Sequence, residues 1–172
     1  MSDFDGFDVN GDGINDDVQT AEYTDGGAVT LVDTDHDDYA DIAAYDVDGD
    51  GNPETVDYDT NNDNKLDTSV YDVDDDRDPD AMTRDTNADG LVDYEATDRN
   101  DDSRMDAAIA DTDYDGRADT VIADNNFDGR VDYVAENPDE DALVDRTVTD
   151  TDGDGVMDTV HYGDPDTNPY AR

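Results

Sequence analysis

Asp150-Thr151-Asp152-Gly153-Asp154-Gly155-Val156-Met157-Asp158 places acids at positions 1, 3, 5 and 9 of a nine-residue stretch, with glycine at position 6. Alternate acids on a tightly turning loop bring several carboxylates to one point. Only a hard cation makes that convergence favourable, and an all-oxygen donor set suits Ca²⁺. Glycine at position 6 relieves the steric conflict where such a loop turns. The stretch is the cleanest copy of a unit that fills most of the chain.

Working back from it, units begin at Asp33, Asp46, Asp59, Asp72, Asp85, Asp98, Asp111, Asp124, Asn137 and Asp150, each 13 residues after the last. An earlier copy comprises Asp8, Asn10, Asp12 and Asp16. Position 3 is always Asp or Asn: Asp35, Asp48, Asn61, Asp74, Asn87, Asn100, Asp113, Asn126, Asp139 and Asp152. Position 5 is always Asp: Asp37, Asp50, Asp63, Asp76, Asp89, Asp102, Asp115, Asp128, Asp141 and Asp154. Position 9 is always acidic: Asp41, Glu54, Asp67, Asp80, Asp93, Asp106, Asp119, Asp132, Asp145 and Asp158. These four columns, with a backbone carbonyl at position 7, are the expected ligands of Ca²⁺, at one or more ions per repeat. Position 6 is Gly in five units, while Arg77, Ser103 and Ala142 stand there in the units opening at Asp72, Asp98 and Asn137. Those three are expected to bind more weakly.

Composition agrees. The chain has 172 residues, with 53 acids against 9 bases and a formal net charge of −44. Only five of the acids are Glu. Asp is the shorter side chain and the usual ligand of tight loops. Low hydrophobicity with such a charge is the signature of disorder unless something neutralises the acids. One divalent ion in each of the eleven loops halves the charge, and two cancel it. There is no Cys and only two His, His36 and His161, which rules out thiolate sites and a series of imidazole sites. The charge opposes direct contact with nucleic acid or anionic lipid. No apolar run is long enough for a membrane span.

The second half of each unit reads as a short strand. Position 8 is small or apolar throughout, and position 12 is apolar in Ala44, Val70, Ala96, Ile109, Ile122, Ala135 and Val148. These two positions share strand parity and are expected on one side, with the position 9 acid on the other. No helical period occurs. The expected fold class is all-β: a calcium-stabilised β-solenoid or β-roll of 13-residue repeats, one strand and one ion loop each. A full coil takes either one unit or two; two units place small sheets face to face, which buries the apolar sides better. Residues 1–172 are expected to form a single repeat domain. Residues 1–7 cap it, 8–32 hold the first and a degenerate repeat, 33–162 hold ten regular repeats, and 163–172 are a tail. Within the degenerate stretch, Asp25-Gly26-Gly27 suggests a turn and Ala28–Val32 a strand.

The nine-residue loop resembles the first part of an EF-hand loop, but lacks the acid at position 12 and any room for flanking helices. The tandem D-x-D-x-D-G-x-x-D pattern over residues 8–16 and 33–158 resembles thrombospondin type 3 calcium repeats. In its logic it is similar to RTX calcium β-rolls. The resemblance implies a calcium-binding structural repeat whose folding depends on the ion: a rigid spacer, surface component or adhesion scaffold. The alternatives are a buffer or sequestering protein for divalent or trivalent cations and, further off, an acidic nucleic-acid mimic. An enzyme is not expected: the acid pairs recur in every unit, whereas a catalytic pair occurs once, in a cleft. The opening Met1-Ser2-Asp3-Phe4 lacks the regions of a signal peptide. An extracellular or cell-surface location by another route is expected, with the cytoplasm as the alternative. No protein partner is named by the sequence.

Overall fold

A computed structural model describes residues 7–139 and 143–163. Phe4, Asp141, Ala142 and all of the tail but Gly163 lie outside the described residues. Contacts divide the chain after Pro79 into two units. The first holds β1 (Asp17–Glu22), β2 (Ala28–Asp33), β3 (Ile42–Asp46), β4 (Thr55–Tyr58) and β5 (Thr68–Tyr71). The second holds β6 (Ala81–Arg84), β7 (Tyr94–Thr97), β8 (Ala107–Ala110), β9 (Thr120–Ala123), β10 (Tyr133–Glu136), β11 (Arg146–Thr149) and β12 (Thr159–Tyr162). Among the described residues there is no helix, and so none that could cross a membrane.

The all-β class and the unit of one strand plus one loop hold as read from the sequence. From β4 onward each strand occupies positions 10–13 of its repeat, and β3 runs one residue further, to Asp46. The hairpin of β1 and β2 turns at Tyr23, whose N–H donates to Gly27 O at 2.7 Å. The winding departs from both expected coils. Within each unit, consecutive strands are neighbours in one antiparallel meander. The reason is a hydrogen bond that closes most of the loops. The position 9 N–H donates to the carbonyl just before position 1, as in Asp41 to Val32 (2.8 Å), Asp67 to Tyr58 (2.7 Å) and Asp119 to Ala110 (2.9 Å). The chain is thus brought back beside the strand it left, so successive loops fall on opposite edges of the sheet.

Register fixes the faces. Positions 11 and 12 of neighbouring repeats stand opposite each other, as in Ala44↔Val56 (12 to 11) and Val56↔Val70 (11 to 12). Directly opposed residues share a face. In the second unit one face therefore carries the row Met82, Ala96, Ala108, Ile122, Val134, Val148 and Val160. Opposite it run Thr83, Glu95, Ile109, Val121, Ala135, Thr147 and His161. This corrects the expectation of a single side for position 12, which alternates faces from repeat to repeat. Position 8 is not in the strand at all. It folds over a face: Met105 and Val131 lie beside Ala108 and Ile122, whereas Val92 and Ala118 lie beside Glu95 and Ile109 on the other face.

The interior is mostly polar. Among the described residues the buried apolar side chains are Val32, Ala43, Ala96, Ala108, Ala123 and Ala135. Ten aspartates are buried with them: Asp16, Asp33, Asp59, Asp67, Asp93, Asp106, Asp111, Asp119, Asp124 and Asp145. Every one of the ten is at position 1 or 9, the two points where a loop meets a strand.

Candidate metal loops

The loop is built from carboxylates gripping backbone N–H groups. In most loops the position 1 acid accepts from position 4 on one oxygen and position 6 on the other; Asp85 keeps only the second bond, from Gly90. In the Asp111 loop these bonds come from Tyr114 and Gly116, both at 2.7 Å. In the Asp150 loop they come from Gly153 (2.8 Å) and Gly155 (2.7 Å). The position 5 acid accepts from position 7, as Asp37 does from Tyr39 at 2.9 Å. The position 9 acid reaches back to position 2. Asp119 accepts from the N–H of Thr112 (2.9 Å) and its hydroxyl (2.6 Å). Thr34 and Thr86 repeat that pair of bonds to Asp41 and Asp93.

Wrapping N–H groups inward forces positive φ at two positions. Position 6 was legible from its glycines. Position 4 was missed: Gly11, His36, Gly49, Asn62, Asp75, Ala88, Asp101, Tyr114, Phe127 and Gly153 all have φ between 58° and 81°. Its sequence signal is the three glycines and the three Asn or Asp residues, which tolerate this region best. Arg77 and Ser103 adopt the same conformation at position 6, with φ of 81° and 67°.

Several aspartate groups bring carboxylate oxygens within 4.8 Å of one another and can hold a metal ion: Asp33, Asp35 and Asp37; Asp46, Asp48 and Asp50; Asp98, Asp102 and Asp106. The last belongs to a loop expected to be weak, yet it joins positions 1, 5 and 9. Among the described residues, the remaining expected ligands occupy the same positions of their own loops. The Asp72 loop, with Asp74 and Asp76, runs to Asp80 across the division between the units.

Electrostatics separates the columns. Burial pushes the Asp111 carboxyl up, but the N–H groups of Gly116, Tyr114 and Asp115 more than offset it and hold it below the ordinary range. Asp98, Asp124 and Asp150 follow the same balance. Asp119 is also held down, its burial outweighed by Thr112 and Thr120. At position 3 the balance reverses. Asp113 is raised by desolvation and by the charge of Asp115, and exposed Asp35 by the protein packed around it and by Asp37 and Asp41. Asp98, Asp111, Asp119, Asp124 and Asp150 are thus well-satisfied anions, while Asp35 and Asp113 at position 3 carry charge that their acidic neighbours oppose.

Among the described residues, two buried aspartates lack full partners, and Asp75 Oδ1 and Asp85 Oδ1 are shielded from solvent without a donor as well. Asp16 Oδ1 has no hydrogen-bond donor, although Oδ2 accepts from Val9. Asp145 is 3% exposed and neither oxygen has a donor. The cause is in the sequence: position 2 of that loop is Pro138, which has no N–H to give. A buried unpaired carboxylate is costly, and a bound cation is the usual remedy.

Comparison with family models, with curated proteins and with solved structures gives no match.

Proposed function

We propose that the chain is a calcium-binding structural repeat, folded by its ions and serving as a stiff scaffold or spacer. The observation that carries this reading is the inverted interior. Ten buried aspartates at positions 1 and 9 accompany a buried apolar set of one Val and five Ala. Burial of so little apolar surface cannot offset the ordering of some 150 residues, which costs about 1–2 kcal/mol per residue. Ion binding that assembles the loops supplies what the core does not. Oxygen-only donors on a flexible nine-residue loop favour Ca²⁺ over the smaller Mg²⁺, which demands near-octahedral geometry. The spacing's resemblance to thrombospondin type 3 repeats points the same way. So does the donorless carboxylate of Asp145. Sites of this kind at millimolar Ca²⁺ fit an extracellular or cell-surface location.

The test is a Ca²⁺ titration of chelator-treated protein, followed by circular dichroism and small-angle scattering, with ions counted by calorimetry. β-structure and compaction should appear together as Ca²⁺ rises, and Mg²⁺ should be much less effective. Unchanged spectra across the titration, or saturation by only one or two ions, would overturn the reading.

A further inference from the structure

We infer that ion occupancy is coupled along each edge of the sheet, between alternate repeats, and only weakly between repeats adjacent in sequence. This rests on the metal-loop reading above and specifies how its sites influence one another. Adjacent loops lie at opposite ends of a four-residue strand, about 13 Å apart at ~3.3 Å per residue. Loops two repeats apart share an edge, at two strand spacings or roughly 9.6 Å, and they are physically joined.

The join is made by the ligand residues themselves. The position 1 N–H donates to the position 9 carbonyl of the loop before it on the same edge. Asp59 bonds Asp41 (2.8 Å), Asp111 bonds Asp93 (2.8 Å), Asp124 bonds Asp106 (2.7 Å) and Asp150 bonds Asp132 (3.0 Å). An ion that pulls the position 9 acid of one loop into place therefore sets the first acid of the next. Side chains add to this at the same spacing. Asn10 Nδ2 donates to Thr34 O at 3.3 Å. Arg99 Nη2 donates to Asp124 O at 2.7 Å, and its guanidinium lies 5.4 Å from the Phe127 ring centroid. Arg130 Nη1 donates to Asp154 O at 3.0 Å. Each of these contacts skips the repeat between. A repeat array is normally treated as coupling nearest neighbours in sequence; here the nearest loop in space is the next but one.

Asp16 and Asp145 show buried oxygens without donors, so at least two loops call for a cation beyond what their own N–H groups supply. Binding that orders one loop lowers the ordering cost of the loop hydrogen-bonded to it, which is positive coupling.

The experiment uses the full chain carrying Asp128→Asn, which weakens the Asp124 loop but keeps the oxygen that accepts from Arg130 N–H. Amide resonances are followed by NMR through a Ca²⁺ titration. Gly153 and Gly155 report the same-edge loop, and Gly116 reports the adjacent loop on the other edge. The midpoint at Gly153 and Gly155 should rise about five-fold or more, the low end of ordinary coupling, with Gly116 moving far less. Arg130→Gln, which leaves every loop acid in place, should reproduce part of the shift at Gly155 and spare Gly116. Equal shifts at Gly116 and Gly155, or a larger one at Gly116, overturn the inference. A wild-type chain whose loop amides ignore Ca²⁺ removes the metal reading itself, a result distinct from the other two.

Discussion

Gly49 and Gly51 stand two residues apart in one loop, at positions 4 and 6, and both have positive φ, 81° and 96°. Replacing either with Ala imposes the left-handed penalty on a side chain, about 1 kcal/mol. The surroundings differ. A Cβ at Gly51 would meet nothing within 4 Å. A Cβ at Gly49 would overlap the carbonyl oxygen of Gly26 and lie 2.6 Å from its carbonyl carbon. Gly26 is in the turn between β1 and β2, so the obstacle is backbone and cannot rotate away. Overpacking of this kind adds about 1–3 kcal/mol. Gly49→Ala should therefore lose about 2–4 kcal/mol against about 1 kcal/mol for Gly51→Ala. Urea unfolding in saturating Ca²⁺, followed by circular dichroism, gives both values. Equal losses would mean that the loop opening at Asp46 does not rest on the β1–β2 turn, and packing along that edge would be refuted with it.

Pro138→Thr restores at position 2 the N–H and hydroxyl that Thr112 offers Asp119; it should raise stability by about 1–2 kcal/mol in the same urea assay, since bonds to a charged acceptor are among the stronger ones. Ala88→Gly, at φ 61°, should gain roughly 0.5–1 kcal/mol by removing left-handed strain in excess of glycine's entropy cost. Acid has two opposed effects on metal-free protein. Asp35 and Asp113 have raised values, so the stability they contribute is present in acid and is lost as pH rises through those values. Asp98, Asp111, Asp119, Asp124, Asp150 and Asp158 have lowered values, so theirs is present above the ordinary 3.8 and is lost as pH falls below it. The β-signal that circular dichroism still detects in metal-free protein should therefore peak near pH 3.8 and decline on both sides, and a monotonic profile would contradict the directions assigned to these carboxylates.

The ligand columns were legible because each loop repeats one local geometry, in which an Asp oxygen can reach N–H groups three and five residues on. The strands were legible because β-branched and aromatic residues cluster after position 9. The direction of each strand was not. It depends on a hydrogen bond between position 9 and the residue before position 1, and a backbone bond leaves no mark on side-chain choice. A subtler signal did exist. Apolar character alternates between position 11 in one repeat and 12 in the next: Val56 with Asp57, then Ser69 with Val70; Glu95 with Ala96, later Thr147 with Val148 and Val160 with His161. Reading position 12 alone averages this away. Thr at position 2 marked the same period through Thr34, Thr60, Thr86 and Thr112, for the separate reason that its hydroxyl completes the grip on position 9.

That alternation makes the repeat of 13 residues only half of the heritable unit. Inserting or deleting a single repeat would send every later loop to the opposite edge and turn each later apolar row to the other face. Arg99 and Arg130, whose reach is set to loops two repeats on, would keep their partners only if the break fell outside their span. Copies gained or lost in pairs leave all of these relations intact. The chain can therefore lengthen or shorten without redesign in steps of 26 residues, and not in steps of 13.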